Sequence, residues 1–302
     1  MWLLVTLAIL AALAAWLWTP DLDRAVLEAK YGQPPSRFVE AAGVRIHLRD
    51  TGRADGPAVV LIHGFGSSLH TWDGWAKGLE ATHRVVRYDL TGGALTGPDP
   101  TGDYTDARAL VVLQALLDRL GIDRPSLVGN SIGGRLAWRF ASQFPARVDR
   151  LILVSPDGFA SPGFEYGRKP EVPAVMGMMK FALPQALLRM NLAPAYGDTS
   201  RLQEPVVTRY HDLMRVPGVR AALLQRLEQT ILEDPTEALR QVTAPTLLVW
   251  GERDQLIPVT NAQDYLRVMR DARLVTFPGI GHVPQEEDPE TTIPPVRDFL
   301  TR

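Results

Sequence analysis

The strongest constraint on the fold is an alternation. Short apolar runs recur along the chain at Ala58–Ile62, Val85–Asp89, Leu127–Gly129, Leu151–Val154, Leu247–Trp250 and Leu274–Phe277, separated by stretches with helical spacing. Runs this short, apolar on both faces and ending in Gly, Asn, Asp or Ser, read as buried strands. Between two of them, Leu110, Leu113, Leu117 and Leu120 fall on one helical face, and Gly121 is placed to end that helix. Phe38-Val39 and Val44–Leu48 flank an Ala-Gly pair, which predicts an opening hairpin. Repeated βαβ units imply an α/β fold, with a mostly parallel sheet covered by helices on both faces.

The alternation stops between Pro156 and Ala244, where prolines separate short helical patterns, and resumes at Thr246. Residues 37–155 and 245–302 are therefore expected to form one sheet domain, with 156–244 inserted as a helical cap. The first 20 residues stand apart. Trp2 to Trp18 is uncharged and apolar, and Trp2, Trp16 and Trp18 sit where interfacial aromatics belong. As a helix the run would reach about 25 Å, marginal for a bilayer core of about 30 Å. The expectation is a membrane anchor, hence a membrane partner and a membrane-bound location. Arg24, Lys30 and Arg37 beyond the span favour a cytoplasmic-facing body. A cleaved signal peptide is the alternative, weakened by the lack of a basic residue before the run.

Composition narrows the function. A formal net charge of −2 without a basic stripe argues against nucleic-acid binding. With no cysteine, the chain can have no thiol nucleophile, thiolate metal site or disulfide. No cofactor or metal is expected.

The chemistry begins at Gly129-Asn130-Ser131-Ile132-Gly133, a G-x-S-x-G pattern between a strand run and a helical run. A serine at a sharp strand-to-helix turn has its hydroxyl exposed above a helix N-terminus. Since that hydroxyl is a weak nucleophile, it needs a base and an acid to orient the base. His282, in the glycine-rich loop after the last strand run, is the candidate base. Asp254 follows the run Leu247–Trp250 and is the candidate acid; Asp157 is its rival. Attack on a carbonyl also needs two amide donors for the oxyanion. Ile132, after the nucleophile, supplies one, and Phe65 in His63-Gly64-Phe65-Gly66 the other. His63 reads as a structural turn residue, while His70, His83 and His211 read as surface or loop residues.

These residues carry a resemblance to the α/β-hydrolase fold superfamily over residues 37–302: His63-Gly64-Phe65-Gly66, Gly129 to Gly134, Gly251-Glu252-Arg253-Asp254 and Gly281-His282. The resemblance implies an eight-stranded, mostly parallel sheet with a helical cap after strand six. One departure is Gly92-Gly93-Ala94 where such proteins often carry a G-x-G turn. A serine nucleophile points to acyl transfer to water, and the first expectation is an esterase or lipase acting on a hydrophobic ester. The apolar segment around Met176, Met179 and Phe181 would line its acyl pocket. The sequence Gly-Asn-Ser-Ile-Gly-Gly also resembles C–C hydrolases that cleave vinylogous diketones. Those enzymes need a cation for the substrate carboxylate, with Arg135, Arg168 and Arg189 as candidates. A non-catalytic binding protein on the same scaffold is the remote alternative.

Overall fold

A computed structural model describes residues 2–160 and 165–301. Met1, residues 161–164 and Arg302 lie outside the described residues, so the expected segments 1–20, 156–244 and 245–302 are followed without them.

Eight strands form a single sheet: β1 (Ser36–Ala41), β2 (Val44–Gly52), β3 (Ala58–Ile62), β4 (Arg84–Tyr88), β5 (Ser126–Asn130), β6 (Leu151–Val154), β7 (Thr246–Gly251) and β8 (Ala272–Phe277). Their order is β1-β2-β4-β3-β5-β6-β7-β8, and β2 runs antiparallel to both neighbours while β4 through β8 are mutually parallel. The predicted hairpin turns at Ala42 and Gly43, both at positive φ.

The helices are α1 (Trp2–Leu17), α2 (Arg24–Tyr31), α3 (Asp73–Leu79), α4 (Asp106–Arg119), α5 (Ile132–Gln143), α6 (Gln185–Leu192), α7 (Glu204–Met214), α8 (Val219–Gln229), α9 (Thr236–Arg240), α10 (Ala262–Val268), α11 (Pro284–Glu287) and α12 (Pro289–Leu300). The strand side chains divide by parity. Val60, Ile62, Leu127, Leu151, Leu153, Leu248 and Trp250 pack towards α4, α5 and α10, and Val59, Leu61, Val128, Ile152, Val154, Leu247 and Val249 pack towards α3 and α12. Burial on both faces is why these strands read as continuous apolar runs rather than alternating ones. Between β6 and β7 the described chain adds no strand to the sheet and contributes α6 to α9 instead.

The membrane expectation is corrected. Among the described residues, no helix is long and apolar enough to cross a membrane. The helix α1 has only 16 residues, about 24 Å of rise, because the chain leaves helical geometry at Trp18. There it pairs with the inserted segment: Trp18 bridges Ala182, the Thr19 amide donates to Phe181 O at 2.8 Å, and the Trp18 ring stacks on Phe181. The aromatic assigned to a membrane interface is engaged by the protein itself. The transmembrane helix, the membrane partner, the membrane-anchored location and the orientation drawn from them are withdrawn together.

Candidate active site

Ser131 closes β5 and precedes α5, with φ 56° and ψ −122°. A non-glycine residue rarely adopts positive φ, and the strain persists because the surroundings allow no other path. A Cβ on Gly133 would lie 2.2 Å from Ile62 O, so α5 starts hard against β3. The pattern of small residues around Ser131 is a packing requirement of this turn.

Asp254 and His282 lie side by side. The His282 Nδ1–H donates to Asp254 Oδ2 at 2.8 Å, and both residues are buried. The other carboxylate oxygen accepts the Leu256 and Ile257 amides, each at 2.9 Å. A carboxylate held on both oxygens fixes the imidazole ring and leaves Nε2 as the free basic nitrogen. The histidine loop is anchored too: the His282 amide donates to Ala195 O at 2.8 Å, and Asn130 Nδ2 donates to His282 O at 2.9 Å. The residue preceding Ser131 thus ties the His282 loop to the serine's turn. Asp157, the rival acid, is instead ion-paired with Arg135, and its amide donates to Ser131 O.

The glycine loop after β3 passes beside the serine, since a Cβ on Gly64 would sit 3.2 Å from Ser131 Cβ. Phe65 and Ile132 line one small cavity with Leu90, Thr91, Leu223 and Arg226. A second small cavity abuts the same loop and is lined by Leu213, Met214, Val219 and Leu223. His63 holds the loop as a neutral ring: its Nδ1–H donates to Gly64 O at 2.8 Å, and Nε2 accepts the Leu90 amide at 2.9 Å. Burial lowers its pKa, which agrees with a structural role.

Met176, Met179 and Phe181 are not among the residues lining either cavity. Met179 packs towards Leu27 and Leu95, while Met176 and Phe181 are exposed. Leu213, Met214 and Leu223 line these cavities beside the glycine loop instead, and no local pattern distinguished them.

The three candidate cations are all engaged. Arg135 pairs with Asp106 and Asp157, Arg168 with Glu165, and Arg189 with Glu204. Arg226 differs. It is 3% exposed, lines the cavity with Phe65 and Ile132, and among the described residues pairs with no carboxylate. Its guanidinium donates to Thr91 O at 2.7 Å and Tyr104 O at 3.3 Å. Burial, partly offset by the field of Asp106, pushes its pKa down to about 10, so it stays cationic at neutral pH. The sequence reading passed over Arg226.

An eight-stranded sheet of this order, with a strained serine, a buried Asp–His pair and an amide-bearing loop at one end, defines the class. The chain belongs to the α/β hydrolase fold family, whose model matches residues 57–289, and it is a hydrolase. Among its relatives, an uncharacterized protein of Mycobacterium tuberculosis is 33% identical over 287 residues, covering 88% of this chain and 81% of the relative. A 2-hydroxy-6-oxo-2,4-heptadienoate hydrolase of Pseudomonas putida is 31% identical, covering 87% and 95% of the two chains. The crystal structure of a bacterial membrane phospholipase A superposes with a TM-score of 0.73 at 25% identity, covering 99% of this chain and 95% of that one.

Proposed function

We propose that this hydrolase uses Ser131, His282 and Asp254 as nucleophile, base and orienting acid to cleave a carbon–carbon bond next to a ketone, in a substrate that also carries a carboxylate. The observation that carries the reading is Arg226, a buried cation in the cavity shared by Phe65 and Ile132 that pairs with no carboxylate among the described residues. Relatives named as dienoate hydrolases support it. This displaces ester hydrolysis from first place.

In this reading Ser131 Oγ attacks the ketone carbon and its proton passes to His282 Nε2. The Phe65 and Ile132 amides receive the charge on oxygen. The C–C bond breaks with its electron pair moving into the conjugated, carboxylate-bearing fragment, and His282 protonates the carbon that leaves. Water then attacks the acyl group on Ser131, gives its proton to His282, and the serine is restored. A carbon leaving group demands delocalised charge, and Arg226 favours exactly that anion over a neutral alcohol.

Hydrolysis of a hydrophobic ester is the second reading. It is favoured by the phospholipase likeness, which spans 99% of this chain where the P. putida relative spans 87%, and by the apolar lining of Leu213, Met214, Val219 and Leu223. The inserted helices then act as a cap that selects the acyl chain.

One panel separates the two: a dienoate ketone substrate beside neutral p-nitrophenyl esters, each with the parent enzyme, Ser131→Ala and Arg226→Met. The first reading expects turnover of the dienoate to fall by about 10- to 100-fold in kcat/KM in Arg226→Met, while esters change little, as for loss of one charged contact. Rapid ester turnover without dienoate cleavage, indifferent to Arg226, would establish the second.

A further inference from the structure

The amide loop is seated by α7 as well as by the sheet. Gly64 to Ser67 form a turn in which the Ser67 amide donates to Gly64 O at 3.3 Å and Gly66 takes φ 64°. Phe65 is exposed, so its side chain does little to hold the turn. The anchor is Ser67 Oγ, which donates to the Tyr210 hydroxyl at 3.0 Å. That hydroxyl in turn donates to Glu286 Oε2 at 2.8 Å. Glu286 is fixed by Arg209 and by Thr71 Oγ1 at 3.2 Å, and it lies four residues beyond His282 in the same segment. One helical turn past Tyr210, Met214 touches the loop: a Cβ on Gly66 would lie 2.9 Å from Met214 Cε.

We propose that Tyr210 is a positioning residue for the oxyanion turn, fixing the Phe65 peptide through Ser67 and linking it through Glu286 to the segment that carries His282. This rests on the reading of Phe65 as an oxyanion donor. Such a donor acts only when it is held about 2.7–3.1 Å from the developing charge before the reaction begins. The tyrosine comes from an inserted helix, so the position of that helix is coupled to transition-state stabilisation and not only to the shape of the pocket.

The test compares Tyr210→Phe, Ser67→Ala and the double variant. Active sites are counted by end-point labelling with a fluorophosphonate, so that kcat refers to labelled serines. A trifluoromethyl ketone analogue, whose tetrahedral adduct carries an oxyanion, reports on the amide pair directly. Each single variant should lower kcat by about 10- to 100-fold with KM within about threefold, because the donor is displaced and not removed. Affinity for the ketone should fall by the same factor. The double variant should be no worse than the poorer single one, since both changes cut the same link. If Tyr210→Phe lowers only the melting temperature or the labelled fraction while kcat per site and ketone affinity hold, the residue is structural and the proposal fails. A parent enzyme unlabelled at Ser131, or an active Ser131→Ala, overturns the underlying reading as well, and shows this before any Tyr210 variant is made.

Discussion

The two sides of the site are held by different forces. On the sheet side, Ser131 follows β5 and Asp254 follows β7, both buried between two apolar layers, and His282 lies in the loop after β8. On the helical side, long-range polar ties do much of the holding. Glu287 accepts the Gly197, Asp198 and Gly281 amides at 2.7–3.0 Å, and Asp212 accepts from Lys30 at 2.7 Å and Tyr31 at 2.8 Å. Arg220 donates to Thr19 O at 2.7 Å and Asp21 at 2.6 Å. The segment between α1 and β1 thereby lies as a strap across the inserted helices. Packing spreads its energy over many neighbours, whereas a polar tie concentrates it in one group whose loss leaves a partner unsatisfied. The chemical half of the site should therefore resist change in its surroundings, and the substrate half should not.

The sharpest contrast is between two aspartates. Asp254→Asn should keep the fold but leave His282 in the wrong tautomer, lowering kcat by about 10³- to 10⁴-fold. Asp157→Asn removes only one of two carboxylates on Arg135 and should stay within about tenfold of the parent, because the other, Asp106, remains. Steady-state kinetics on one substrate decides it. The reverse ranking would place the orienting acid after β6 and dissolve the distinction between the two sides.

That assignment was legible because it is local. A buried strand, a forced turn and a chemically necessary residue type fall within a few positions of one another, so Ser131, Asp254 and His282 stand out as candidates, with Asp157 left as a rival that the sequence does not remove. The cation was not legible, because Arg135 and Arg226 are the same residue type on similar helical patterns. What separates them is ion pairs with Asp106 and Asp157 for one and hydrogen bonds to the Thr91 and Tyr104 carbonyls for the other. The histidines differ from their reading in burial: His70, His83 and His211, read as surface or loop residues, are buried, and although His83 does lie in a loop, His211 lies on α7. At the N-terminus the apolar run and its end at Trp18 were visible, but the partner that Trp18 meets there was not, since Ala182 comes from the far side of the sequence. Local pattern specifies the sheet, while partners distant in sequence specify the insertion and the strap.

A single side chain tests the strap. Arg220 is buried, and its replacement by Ala frees Thr19 O, Met179 O and Asp21 at once. Losing charged hydrogen bonds of this kind costs about 2–3 kcal/mol. Because the apolar anchors of the strap, Leu22, Leu27 and Tyr31, all join one small cluster apart from the two layers of the sheet, the cost should appear as local opening. Hydrogen exchange in Arg220→Ala should accelerate across residues 18–31 and 179–183 while amides of β5 and β6 keep their protection. Equal acceleration in the sheet would mean that the two regions open as one unit.

The smallest effect concerns the place where strap and sheet meet. His70 packs edge-on against Tyr31 of the strap, and its ring bonds to Arg49 at 3.1 Å and Ser68 at 3.3 Å. Burial, opposed by the charge of Asp89 and reinforced by Arg49, Arg209 and His47, pushes its pKa from an ordinary 6.5 down to about 3. The folded chain therefore keeps His70 neutral where the unfolded chain protonates it. Above pH 6.5 neither state binds the proton and the folded state is unpenalised; as the pH falls from 6.5 towards about 3, the unfolded state gains the proton alone and stability drains away. The slope from one such group is on the order of 1 kcal/mol per pH unit. His63, His83 and His211, also lowered by burial, add to it. Urea unfolding at pH 7 and pH 5 should show a smaller loss for His70→Asn than for the parent, with the other three histidines and the carboxylates of lowered pKa, Glu28 and Asp89 among them, contributing to the slope that remains. An unchanged difference would mean that His70 takes up its proton in the folded state, and that the junction between strap and sheet admits water.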